Sequence, residues 1–114
     1  MESTRQKKVA RLVQKELANY FLKESRNLYA GAFITVTTVR MSPDLSHARV
    51  YLSLFKSPDA KALLNQIIAE KKDIRRHLGE MVRKQLRIVP DMDFFLDDSL
   101  DYFENIERLL KSND

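Results

Sequence analysis

The chain has no cysteine and no tryptophan, and only two glycines and three prolines among its 114 residues. Each shortage removes something. Without cysteine there is no disulfide framework and no thiolate metal site, and nothing calls for an oxidising compartment. Two glycines, Gly31 and Gly79, are too few for a glycine-rich loop that cradles phosphate. No apolar run approaches the roughly 18 residues that a membrane-spanning helix needs, and no continuous apolar stretch follows the basic N-terminus as a secretory signal requires. The two histidines, His47 and His77, are too few and too isolated to suggest a metal centre. Asp91, Asp93, Asp97, Asp98 and Asp101 lack the glycine and closing glutamate of a calcium loop. These exclusions lead to the expectation of a cytoplasmic protein, a single domain over residues 1–114, with no cofactor, no metal and no membrane.

What is present is charge, unevenly placed. Hydrophobic residues make up 44% and charged residues 32%, a globular balance, and the net charge is +4. Residues 1–57 carry ten Lys/Arg against four Asp/Glu, and residues 58–90 carry eight against four. Residues 91–114 reverse the sign, with two against eight. A basic body ahead of an acidic end points to a polyanionic partner met by one surface. An unevenly charged but merely solvated surface accounts for the same numbers.

Hydrophobic spacing gives the order α-β-β-α-α-β-α. Val9, Leu12, Val13, Leu17 and Phe21 recur three and four residues apart, predicting a helix from Thr4 to Glu24 with Ser3 or Thr4 as its cap. After Gly31 the period falls to two. Phe33 to Arg40 is dense in β-branched residues and predicts a strand. Ser42-Pro43-Asp44 is a turn, and His47 to Phe55 predicts a second strand, antiparallel to the first. Ser57-Pro58-Asp59 reads as a helix start with serine as the cap, and Leu63, Leu64, Ile67 and Ile68 supply that helix's stripe. A third helix, from Asp73 to Ile88, carries Ile74, Leu78, Met81, Val82 and Leu86, with Val89-Pro90 ending it. Met92 to Asp97 is a short strand. Asp98 opens a last helix with the stripe Leu100, Phe103, Ile106, Leu109 and Leu110.

Two basic stripes are candidate binding surfaces. On an ideal helix Arg76, Arg83 and Arg87 fall within about 40° of one another, opposite the apolar stripe, with Lys71 and Lys72 at the helix start. Arginine suits phosphate because its planar fork donates two parallel hydrogen bonds and keeps its charge. Arg5, Lys8, Arg11 and Lys15 line the outer face of the first helix. Either stripe alone is matched by an ordinary solvated face; together they form one surface only if the fold brings them to the same side. Tyr51 and Phe55 on the second strand and Tyr29 in the loop before the first are candidates for stacking on bases. Strand packing is the plainer explanation for Phe55 and an equal one for Tyr51, which shares its face with Arg49. Ser42, Asp44, Ser46 and His47 hold triad-type chemistry, but a turn explains them better. No catalytic site is expected.

The segments Val9-Ala10-Arg11, Gln14-Lys15-Glu16-Leu17, Ile34-Thr35-Val36-Thr37 and Met41-Ser42-Pro43-Asp44-Leu45-Ser46-His47-Ala48-Arg49-Val50-Tyr51 resemble ribosome-binding factor A. Ile74-Arg75, Leu86-Arg87, Pro90, Phe94 and Asp97-Asp98-Ser99 follow in the family's order, so the resemblance runs from about Arg5 to Leu110. It implies an α+β fold, a type II KH-like domain with an α-β-β-α-α-β core and a three-stranded sheet, here with an added C-terminal helix. It also implies a factor that binds the small (30S) ribosomal subunit and its 16S rRNA and assists late rRNA processing without catalysis; a monomer is expected, with ribosomal proteins as further partners. The sequence departs from the family at Glu70-Lys71-Lys72, where a small-residue kink is usual, and at Ser25-Arg26-Asn27, in place of an Asp-Pro pair. Two other readings stand beside this one. One is a general single-stranded nucleic-acid module. The other is a protein adaptor acting through Asp101, Glu104 and Glu107 of the last helix.

Overall fold

The computed structural model describes residues 2–54 and 57–97. The expected C-terminal helix and Phe55 lie outside the described residues. Six elements follow in order: α1 (Thr4–Leu28), β1 (Thr35–Met41), β2 (His47–Ser53), α2 (Ala60–Ala69), α3 (Lys71–Val82) and β3 (Asp91–Leu96).

Ser3 caps α1 as expected, and Gln6 completes a capping box. The Gln6 N–H donates to Ser3 Oγ at 3.1 Å, and Gln6 Oε1 accepts from the Ser3 N–H at 2.7 Å. The same Gln6 is buried and donates through Nε2 to the Met41 carbonyl at 3.0 Å. Gln14 Nε2 donates to Val36 O at 3.0 Å. Two amide side chains thus fasten α1 to β1. The helix runs one turn beyond its expected end, to Leu28, where the Tyr29 and Gly31 N–H groups both donate to Ser25 O. Gly31 sits at φ +78°, a left-handed conformation that favours glycine.

The sheet has the order β1-β2-β3, with β1 antiparallel and β3 parallel to β2. A bulge between Val36 and Thr38 keeps Val36, Val39 and Met41 all facing inward. Ala48, Val50, Leu52, Met92 and Phe94 complete the inner face, and all are buried. Val9, Val13, Leu17 and Phe21 of α1, Leu63 and Ile67 of α2, and Ile74, Leu78 and Val82 of α3 pack against it. Each fully buried aliphatic side chain contributes about 1.5–3 kcal/mol of transfer free energy. The opposite face carries Arg40, Arg49, Asp93 and Phe95, all exposed.

Helix boundaries differ from expectation in three further places. Asp59, not Ser57, caps α2: its side chain accepts from the Ala62 N–H at 3.0 Å, so Pro58 lies outside the helix. Two residues later than expected, α2 starts at Ala60, and its stripe narrows to Leu63 and Ile67, with Ile68 44% exposed. Asp73 does not open α3 but lies in its first turn, because α3 begins at Lys71 directly after the single non-helical residue Glu70. α3 also stops early, at Val82, with Leu86 only partly buried and Met81 46% exposed. The cause is tertiary. The Arg75 guanidinium donates to Val89 O at 2.8 Å and Pro90 O at 3.4 Å, drawing the chain back along α3. Gly79 permits that return, since a Cβ there would lie 3.1 Å from Val89 Cγ2.

The Ser42–Ser46 turn is held by one carboxylate. Asp44 Oδ1 accepts from Ser42 Oγ at 2.7 Å, Ser46 Oγ at 2.8 Å and the Ser46 N–H at 3.1 Å. These donors lower the Asp44 pKa from 3.8 to about 2. A depressed carboxylate pKa contributes stability above the unfolded value and loses it as pH falls through the folded one. The doubly substituted Ser42→Ala, Ser46→Ala protein is therefore expected to be less stable than the parent at neutral pH. The difference should close as pH drops from about 4 to about 2. Urea denaturation at stepped pH measures it; a difference that stays constant across that window would remove Asp44 as its source.

Candidate nucleic-acid interface

Three contacts align α1 and α3 as antiparallel neighbours. The Tyr29 hydroxyl donates to Glu70 Oε2 at 2.7 Å, at the C-terminal end of α1 and the start of α3. One turn and more into α3, His77 lies against Tyr20 with ring centroids 5.0 Å apart. Tyr20, Glu24 and Leu28 line a shallow cleft with Asp73, Arg76, His77 and Glu80. The N-terminal half of α1 therefore runs toward the end of α3 and the Arg83–Gln85 turn. Burial, with the bond to Glu70, pushes the Tyr29 hydroxyl well above the ordinary tyrosine range, so it remains a donor. Tyr29 is 3% exposed and offers no face for a base, which removes it as a stacking candidate.

The nine expected contact residues separate into three groups. Arg5, Lys8, Arg11 and Lys15 are all exposed on α1. Arg83, at the last turn of α3, is exposed and lies at the end toward which those four run. Arg87 is exposed too, but it lies past the helix end, so Arg76, Arg83 and Arg87 do not form one helical face. Arg76 lies toward the other end, beside Glu24 and Glu80, with its guanidinium 3.3 Å from Asp73 in an exposed pair. Lys72 is exposed. Lys71 is committed elsewhere: Nζ lies 3.6 Å from both Asp91 Oδ1 and Asp93 Oδ1 on β3. Asp91 titrates below the usual carboxylate range, chiefly through the Met92 N–H and then through Lys71 and His47.

The triad-type cluster dissolves in the same geometry. Ser42 Oγ donates to Asp44, whereas His47 Nε2 faces Asp93 Oδ2 at 2.8 Å across the sheet. Among the described residues no group of three or more His, Asp or Glu is placed to hold a metal ion, and no helix is long and apolar enough to cross a membrane.

The family model described as ribosome-binding factor A matches residues 5–110. The chain belongs to the ribosome-binding factor A family. It is 52% identical over 110 residues to ribosome-binding factor A of Cytophaga hutchinsonii, covering 96% of this chain and 83% of that relative. With ribosome-binding factor A of Chlorobaculum tepidum it shares 40% identity over 111 residues, covering 96% and 91%. The crystal structure of ribosome-binding factor A from Thermus thermophilus superposes with a TM-score of 0.67 at 20% identity, covering 80% of this chain and 94% of that one. A Thermus thermophilus ribosome-binding factor A model, fitted into a cryo-EM map of a 30S complex, gives a TM-score of 0.61 at 25% identity. It covers 76% of this chain and 89% of that one. The α-β-β-α-α-β order and the mixed three-stranded sheet are thus the KH-like fold of ribosome-binding factor A.

Within that fold the turn between α2 and α3, where KH domains carry a glycine loop, is the single residue Glu70. Its carboxylate is held by Tyr29 and its N–H donates to Gln66 O and Ile67 O. Here a glutamate is followed by Lys71, whose ammonium already faces Asp91 and Asp93, so this corner offers phosphate less free positive charge than the outer face of α1. Positive charge without a described ion-pair partner lies instead along α1 and at the end of α3.

Proposed function

We propose that the chain is a non-catalytic assembly factor that binds the small (30S) ribosomal subunit and assists late 16S rRNA processing and subunit maturation. The observation that carries the reading is family membership across residues 5–110, together with a fold similar to that of a relative fitted into a 30S complex. In this reading Arg5, Lys8, Arg11 and Lys15 hold rRNA phosphates jointly with Arg83 and Arg87, each cation releasing a condensed counterion on contact. Lys72 and Arg76 contribute at the margin, and Lys71 orders β3 rather than touching RNA. Such contacts position a factor on folded RNA without reading its sequence. No step of bond making or breaking is assigned to the protein.

The experiment is co-sedimentation of the purified chain with isolated small subunits, large subunits and whole ribosomes across a salt series. Selective retention by free small subunits is the expected result. Equal retention by all three, lost together as salt rises, would instead favour the general single-stranded nucleic-acid module.

A further inference from the structure

The sheet face turned away from the helices carries side chains that neither the core nor the basic helices use. Register places Arg40, Arg49 and Asp93 in one row across the three strands, and Thr38, Tyr51 and Phe95 in the next. Two features of these rows bear on binding. Arg40 and Arg49 are like charges directly opposed across an antiparallel pair, an arrangement that destabilises a sheet. Neither forms an ion pair with a described carboxylate. Asp93, the acid nearest Arg49 in register, is engaged by His47 at 2.8 Å and by Lys71 at 3.6 Å. Asp97 receives the Thr37 hydroxyl. In the neighbouring row Tyr51 and Phe95 stack, with centroids 5.4 Å apart and 28° between the ring planes, yet Phe95 stays 40% exposed. A shallow cleft lined by Thr38, Arg40, Arg49, Tyr51 and Asp97 joins the two rows.

We propose that this open sheet face is a second RNA-binding surface, which takes a single-stranded segment with a base on the Tyr51–Phe95 pair and phosphates on Arg40 and Arg49. The proposal rests on the ribosomal reading only for the class of ligand. Every base presents a π face, so stacking on an aromatic platform tolerates any sequence. Arg49 and Tyr51 are two residues apart on one strand, so their side chains emerge on one face roughly 6.6 Å from each other. One nucleotide therefore reaches both, base on ring and phosphate on guanidinium. Bound phosphate also relieves the repulsion between the two opposed arginines. The helices lie across the sheet, so the two surfaces bind different stretches of RNA at once.

The test uses the full chain, a fluorescein-labelled single-stranded RNA of about eight nucleotides, and fluorescence anisotropy, with small-subunit sedimentation in parallel. Tyr51→Leu with Phe95→Leu removes both rings while keeping apolar bulk; Arg40→Gln with Arg49→Gln removes both charges. Thermal melts by circular dichroism establish that each variant is folded. The leucine pair is expected to lower affinity for the oligonucleotide about tenfold or more. The glutamine pair is expected to lower it and to flatten the log–log salt slope by about 1.4, the value for two single-strand phosphate contacts. Folded variants that bind within twofold of the parent would overturn the platform. A parent that sediments with subunits but ignores the oligonucleotide overturns the platform and leaves the ribosomal reading standing. A parent that binds the oligonucleotide through these four side chains but ignores subunits does the reverse.

Discussion

Leu52→Ala is expected to lower the free energy of unfolding by about 2–5 kcal/mol. Leu52 is 0% exposed near the C-terminal end of β2, the middle strand of the sheet, paired in register with Val36 on one side and Leu96 on the other. Its truncation removes apolar contact and leaves a void that a strand hydrogen-bonded on both edges cannot collapse to fill. A domain of this size has a total stability of about 5–15 kcal/mol, so the loss is a large share of the whole. Urea denaturation should show a lower midpoint with an unchanged slope. A change below about 1 kcal/mol would mean that the core around β2 repacks freely, against the tight burial of that strand.

Replacing Lys8, Arg11, Lys15 and Arg83 together by glutamate is expected to abolish detectable retention on small subunits at physiological salt. If all four meet phosphates, the log–log dependence of the parent's affinity on salt exceeds that of the corresponding alanine variant by about 3 to 4. All four side chains are exposed, so the fold should survive, and far-ultraviolet circular dichroism checks that it does. Arg76→Glu is the internal control. Its guanidinium is already paired with Asp73 beside two further acids, and its reversal should change retention little. If Arg76→Glu weakens binding as much as the quadruple change, the interface lies at the other end of α3.

Most of the architecture was legible because the relevant signals are local. Ser3 and Gln6 lie three residues apart, the β-branched run of β1 and the alternation of Ala48, Val50 and Leu52 are short-range patterns, and each has a direct physical cause. The end of α3 was not legible. Leu86 continues the helical spacing, and only the distant grip of Arg75 on Val89 and Pro90 turns the chain away. The start of α2 was misplaced for a smaller reason, since Ser57 and Asp59 both qualify as caps and only geometry chooses between them. For the site, residue types were readable and partnerships were not. Lys71 looks free until Asp91 and Asp93 are brought beside it from twenty residues away in the chain. Nor does Arg40 announce in sequence that it will stand opposite Arg49.

The parallel pairing of β3 with β2 also sets the order in which the domain can form during synthesis. The β1–β2 hairpin closes over a short turn and can pair as soon as both strands have emerged. Until Asp91–Leu96 follows, β2 presents an open edge, and Ile67 and Ile74 have no third strand to cover. The chain must extend through two helices before that edge is sealed, a non-local closure of the kind that slows folding. A nascent chain stalled before Asp91 therefore leaves the far edge of β2 unpaired, the kind of exposed strand edge that invites association with other chains until β3 seals it.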